Sequence, residues 1–181
     1  ARGASAPGFD GRAGMDLVND LKRVPDARRR EALSDLRSQV SSPVEVRQLT
    51  SDDLRSLEDA GITVGGHSAT HPILTTCEDE TLAHEVGSCR DRLGQLLGSP
   101  PRSFAYPGGR VDGRVVDATR QAGWEVAFSW DHRVSPFPFP DLHRISRVKA
   151  NLGSGRSRLA LFATGRHTSL RRAPDVRAIA D

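Results

Sequence analysis

A chain of 181 residues, 36% hydrophobic and 27% charged, is long enough for one globular domain with a real core. Its formal net charge of +3, with Lys22 and Lys149 the only lysines, argues against a nucleic-acid partner, and no apolar run approaches the roughly 18 residues of a membrane span. Aromatics make up 5%, and 17 glycines and 11 prolines punctuate the chain, so many short elements joined by turns are expected.

The opening residues to about Gly14 lack periodicity and read as a loop or ragged terminus without the apolar core of a signal peptide. The chain begins with Ala rather than Met, which reads as a processed product or a fragment. Leu17, Val18 and Leu21, then Leu33, Leu36 and Val40, recur at helical spacing on either side of Pro25, predicting helices over 15–24 and 27–40. Arg28, Arg29 and Arg30 stand among Asp26, Glu31 and Asp35 and read as a solvated helix face. Thr50 and Asp53 have the spacing of a capping box, which opens a helix over 51–60. A strand over 62–66 follows and runs into His67. The clearest helix carries Leu82, Val86, Cys89, Leu93, Leu96 and Leu97 on one stripe and stops at Gly98 before Pro100 and Pro101. Strands over 103–106 and 124–130, a helix over 113–121 and a further strand within 142–148 continue the alternation, which argues for a parallel sheet or barrel. A short helix through Leu159, Leu161 and Phe162 and an Arg-rich tail complete the chain. Cys77 and Cys89 are too far apart for a redox pair and too few for a zinc ribbon, so packing or incidental exposure is expected.

Two segments carry chemistry. In Gly65-Gly-His-Ser-Ala-Thr-His71-Pro72, His67 and His71 are spaced so that both imidazoles reach one divalent ion such as zinc from a tight loop. Taken alone, this spacing also fits two ordinary surface histidines. In Arg102-Ser-Phe-Ala-Tyr-Pro-Gly-Gly109 a strand stops at a Pro and leaves backbone N–H groups unobstructed, either as a plain turn or as donors to a developing oxyanion.

Together and in this order the segments resemble the NodB-homology catalytic domain of the polysaccharide deacetylases, carbohydrate esterase family 4. That family carries a His-Ser/Thr-x-x-His-Pro motif after a strand, and many members follow it with Phe-Ala-Tyr-Pro-x-Gly. The likeness runs from Leu49 to about Val148 and includes Ala122-Gly123 before Trp124 and Leu142-His-Arg-Ile145. The resemblance implies a distorted (β/α) barrel, an acetylated polysaccharide or glycan as substrate, and a secreted or cell-envelope location. It makes His67 and His71 metal ligands, with a divalent metal, zinc by preference, as cofactor. It places the catalytic turn at Tyr106, Pro107 and Gly108, with the Gly108 amide as oxyanion donor. Ala105 stands where many members have an Arg. Trp130-Asp131 is similar to a later loop of the family, His143 is a candidate proton donor to the leaving group, and Arg144 matches the subgroup by position.

The family's Thr-Phe-Asp-Asp-Gly motif, which supplies a general base and a third metal ligand, is absent from the 181 residues; Phe9-Asp10 offers a single acid. Two accounts follow. One is a truncated piece of a metal-dependent deacetylase, lacking the first two strands and inactive by itself; the other is a non-catalytic, carbohydrate-binding relic of the fold. The retained histidines and Tyr-Pro-Gly-Gly turn favour the first. The expected organisation is a helical lead-in over 1–48, a deacetylase-like core over 49–150, and a helix with an Arg-rich tail over 151–181.

Overall fold

The computed structural model of the chain describes residues 14–39, 46–148 and 155–164. Phe9-Asp10, Val40 and the Arg-rich tail lie outside the described residues. Two helices lead, α1 (Gly14–Leu21) and α2 (Asp26–Ser38), divided by the turn before Pro25. Then come α3 (Ser51–Asp59), α4 (Asp79–Leu97), β1 (Ser103–Ala105), α5 (Gly113–Gln121), β2 (Val126–Phe128) and α6 (Arg156–Ala163). The capping box at α3 forms as expected: Thr50 Oγ1 accepts from Asp53 N–H at 3.1 Å, and Asp53 Oδ2 accepts from Thr50 N–H at 2.8 Å.

The arginine run departs from its expected role. Arg28 does pair with Glu31 in solvent, but Arg29 and Arg30 both turn back onto Asp26, at 2.6 Å each. Asp26 is buried. Burial pushes its carboxyl up, and the two guanidiniums outweigh that and hold it below the ordinary carboxylate range. The spacing of three and four residues aims both cations at one carboxylate, and Arg30 continues to Glu85 on α4 at 3.5 Å. That pair, with Arg110 donating to the Lys22 carbonyl at 3.4 Å, crosses the boundary expected near residue 48.

β1 and β2 pair in parallel, Phe104 opposite Ala127. Each side of the pair carries one further parallel rung, Gly66 against Phe104 and Ile145 against Phe128. The strands expected over 62–66 and 142–148 therefore shrink to single rungs. Ile62 stays 53% exposed and finds no packing to hold residues 62–65 in the ladder. At the other side the Leu142 carbonyl accepts from Ala127 N–H at 2.8 Å, the Asp141 carboxylate accepts from His143 N–H at 2.9 Å in a turn, and the parallel rung itself forms at Ile145. The result is an α/β fold with an open parallel sheet flanked by helices, a partial form of a distorted (β/α) barrel. No described helix is long and apolar enough to cross a membrane.

The core forms where the α4 stripe, Leu82, Val86 and Cys89, meets Phe104, Val115 and Trp124. Both cysteines are free and buried, and burial pushes the Cys77 thiol up to about 11, so packing is their role. Trp124 Nε1–H donates to the Val86 carbonyl at 3.1 Å, which ties the start of the β2 segment to the middle of α4.

Tyr106, the single tyrosine, is fully buried, and its hydroxyl donates to the His143 carbonyl at 2.9 Å. Burial pushes the phenol up to about 12. The folded state thus favours the protonated form, so this contribution to stability is complete below the ordinary value near 10 and is lost as pH rises toward 12. Absorbance titration at the phenolate band should show almost no ionisation at pH 10.5 in the folded chain and more than half in denaturant. Superimposable folded and denatured curves would place Tyr106 in solvent and contradict this core.

Candidate metal and oxyanion site

Position 66 sets the location of the histidine loop. Gly66 N–H donates to the Ser103 carbonyl at 2.8 Å, and Ala105 N–H donates to the Gly66 carbonyl at 2.8 Å. A Cβ on Gly66 would lie 2.3 Å from Trp124 Cη2 and 3.0 Å from Phe104 Cδ2; a Cβ on Gly65 would lie 2.7 Å from Ser103 Oγ. Only glycines permit so close an approach, and the consequence is that His67 leaves the sheet beside the C-terminal end of β1. In parallel α/β folds that end gathers active sites.

His67 Nδ1 lies 2.5 Å from the Ala105 carbonyl oxygen. A carbonyl only accepts, so Nδ1 carries the proton and the Nε2 lone pair is left for a ligand. Burial first, then the neighbouring His71 and Arg147, lower the tendency of this imidazole to take a proton, although the Ala105 hydrogen bond acts the other way. A neutral ring is the state that binds metal. The His71 ring stands edge-on to it, with centroids 4.8 Å apart. Two imidazoles on one tetrahedral ion, each with its nitrogen at about 2.1 Å, place their centroids about 5 Å apart. The 4.8 Å separation matches that spacing. Among the described residues no group of three or more His, Cys, Asp or Glu is arranged to hold a metal, so the pair would be a partial ligand set.

The loop between the histidines is bent backbone. Ser68 and His71 have left-handed φ of 63° and 59°, and Ser68 Oγ accepts from His71 N–H at 3.0 Å. The second segment turns as tightly. Gly108 and Gly109 have φ of 62° and 70°, and a Cβ on Gly109 would lie 2.2 Å from Trp130 Cβ. Gly109 N–H is engaged by the Tyr106 carbonyl at 2.9 Å, whereas the exposed Gly108 N–H donates to no acceptor among the described residues.

The remaining expected residues divide by environment. Pro107 and the Tyr106 ring are buried, so what this turn offers to solvent is backbone. His143 is largely enclosed, with Nε2 donating to the Trp124 carbonyl at 2.8 Å and its own carbonyl holding Tyr106. Arg144 is half-exposed and leans on Asp141 at 3.7 Å, a carboxylate it shares with Arg120 at 2.9 Å. Neither is joined to His67 or His71 by a hydrogen bond or ion pair among the described contacts. Two residues not expected at the site come close to it: Arg147, half-buried and donating to the Ser129 carbonyl at 2.9 Å, and Glu85. Glu85 left a readable signal, a carboxylate on the apolar stripe of α4 three residues after Leu82 and four before Cys89.

The polysaccharide deacetylase family model matches residues 36–127. The chain belongs to the polysaccharide deacetylase family. The match includes the histidine loop, the Tyr106 turn and the sheet that joins them. No curated protein matches the chain. Among solved structures, a Streptococcus pyogenes deacetylase in complex with acetate is similar with a TM-score of 0.60 at 16% identity, over 65% of this chain and 52% of that one. A polysaccharide deacetylase from Bacillus cereus gives 0.55 at 24%, over 66% and 38%. A de-N-acetylase from Aggregatibacter actinomycetemcomitans gives 0.56 at 16%, over 69% and 59%. At these identities the likeness establishes the deacetylase fold. The chain spans less than two thirds of the length of each of these proteins.

Replacing Gly66 by Ala should destabilise the fold by about 1–3 kcal/mol, since the added methyl meets an indole that is itself locked in the core. Denaturant unfolding would read this as a lowered midpoint. An unchanged midpoint would show that the loop does not lie on Trp124.

Proposed function

We propose that this chain is part of a metal-dependent carbohydrate deacetylase, which hydrolyses acetyl groups from an acetylated polysaccharide or glycan at the cell envelope. The observation that carries the reading is the His67 ring, with Nδ1–H committed to the Ala105 carbonyl, Nε2 left for a ligand, and the His71 ring centroid 4.8 Å away. Membership of the deacetylase family supports it. So does the acetate held by the similar Streptococcus pyogenes protein, since acetate is what such a hydrolysis releases.

In this proposal His67 and His71 hold a divalent ion, zinc by preference. When bound, such an ion polarises water and the acetyl carbonyl. The chain's own part is to keep the His67 imidazole neutral, to hold the two rings together, and to aim the Gly108 N–H at the oxygen on which negative charge develops. Tyr106 and Pro107 serve by shape: buried, they hold the turn that presents Gly108. His143 and Arg144 act less directly. His143 fastens the Tyr106 hydroxyl, and Arg144 helps to neutralise Asp141.

A general base and an anionic ligand belong to the Asp-Asp motif, which these 181 residues do not contain, so the chain by itself should release no acetate. The scarcity of ligands among the described residues is the one observation that favours a carbohydrate-binding relic instead.

Calorimetric zinc titration should detect weak binding to the 181-residue chain, lost in His67→Ala and in His71→Ala. Equal binding by the variants would remove the histidines from the reading. A longer product of the same gene that carries the Asp-Asp motif should release acetate from at least one acetylated glycan, chitooligosaccharide or xylan, and His71→Ala should abolish this. Glycan binding without any release by that form would favour the relic.

A further inference from the structure

Glu85 is a carboxylate with no solvent exposure, set on the buried side of α4 among Leu82, Val86 and Cys89. A buried carboxylate carries a desolvation cost of several kcal/mol unless hydrogen bonds and a countercharge offset it. Its partners lie on the histidine loop. Oε2 accepts from Thr70 N–H at 2.8 Å, and Oε1 accepts from Thr70 Oγ1–H at 2.5 Å. Its main-chain carbonyl accepts from Ala69 N–H at 3.2 Å, and Arg30 Nη2 from α2 stands 3.5 Å from Oε1. One residue thus fastens Ala69 and Thr70, two of the three positions between His67 and His71.

That loop needs fastening. Left-handed backbone at a non-glycine residue costs about 1–2 kcal/mol, and Ser68 and His71 both adopt it. His71 also precedes Pro72, whose ring disfavours compact conformations at the residue before it. Local bonding supplies only the Ser68 Oγ to His71 N–H contact. Strain of this kind persists where the surroundings over-determine it, and here the surroundings are α4.

We infer that Glu85 is a positioning residue, which through Thr70 sets the separation of the His67 and His71 imidazoles, with Arg30 as its countercharge. The consequence for metal affinity rests on the proposed metal-binding role of the two histidines; the consequence for ring separation does not.

The test compares Glu85→Leu, Thr70→Val, Thr70→Ser and Glu85→Gln in the 181-residue chain. Leucine suits the apolar stripe and relieves a buried charge, so Glu85→Leu should fold with an unchanged or raised denaturation midpoint. Thr70 is exposed, and its valine variant keeps the shape while losing the hydroxyl. Both should weaken or abolish the metal-free NOE between the His67 and His71 rings and weaken zinc binding by roughly tenfold or more, as loss of support behind metal ligands does. Thr70→Ser keeps both hydrogen bonds, and in Glu85→Gln the amide can accept from Thr70 N–H and donate to Oγ1. Both should retain the NOE and bind zinc within about threefold of the parent, a rescue that general core packing would not produce. Unchanged NOE and zinc affinity in well-folded Glu85→Leu and Thr70→Val would overturn the inference. If the parent binds no zinc but shows the NOE pattern above, the positioning role stands and the metal reading fails.

Discussion

The close approach of the residue 65–66 backbone to β1 is the constraint on which the rest of the site depends. Without a Cβ at Gly65 or Gly66, the main chain settles against Ser103 and the Trp124 ring and adds one parallel rung to the sheet. The geometry of His67 follows. Its Nδ1 meets the Ala105 carbonyl because Ala105 is the residue whose own N–H bonds Gly66. One rung of ladder and one side-chain hydrogen bond therefore use adjacent backbone groups, and the orientation of the imidazole is tied to sheet register rather than to the flexibility of a loop.

Buried polar groups do the long-range fastening where the described residues include two strands of three residues each. Tyr106 reaches the His143 carbonyl, Trp124 reaches the Val86 carbonyl, and Glu85 reaches the histidine loop. Asp26 gathers two guanidiniums, and one of them extends to Glu85. Such groups are costly when unpaired, so each strongly favours a single arrangement of the elements it joins. This matters at the two turns. Gly108 is exposed while Pro107 and the Tyr106 ring are buried, and Gly109 lies against Trp130. The Trp130 backbone in turn donates to the Gly109 carbonyl at 3.4 Å. Rigid elements, not the turn residues alone, hold this backbone in place.

Much of the fold was legible in the sequence because local chemistry dictates it. Thr50 and Asp53 build their capping box within four residues, α4 follows a single apolar stripe, and the Gly-Gly-His and Tyr-Pro-Gly-Gly segments mark the strand ends where the chain turns toward the site. Strand length was not legible. Residues 62–66 and 142–148 have strand-like composition, but pairing depends on a neighbour at the correct height, and each supplies one rung. The arginine run was legible in part: Arg28 and Arg30 keep half or more of their side chains in solvent, but charge patterning does not show that Arg29 and Arg30 converge on Asp26.

By itself the sequence determined the candidate chemistry, two imidazoles and a glycine turn, because residue type and short spacing are enough to specify which donor atoms are available. Only the tertiary structure decided which of those atoms are free. It committed Nδ1 of His67 to Ala105 and left Nε2, took the Tyr106 hydroxyl into the core, turned His143 inward onto Trp124, and brought Glu85 from a different element under Thr70. Availability of a polar atom is a property of its neighbours in space. Those neighbours lie 15 to 38 residues away along the chain, beyond the reach of any local pattern.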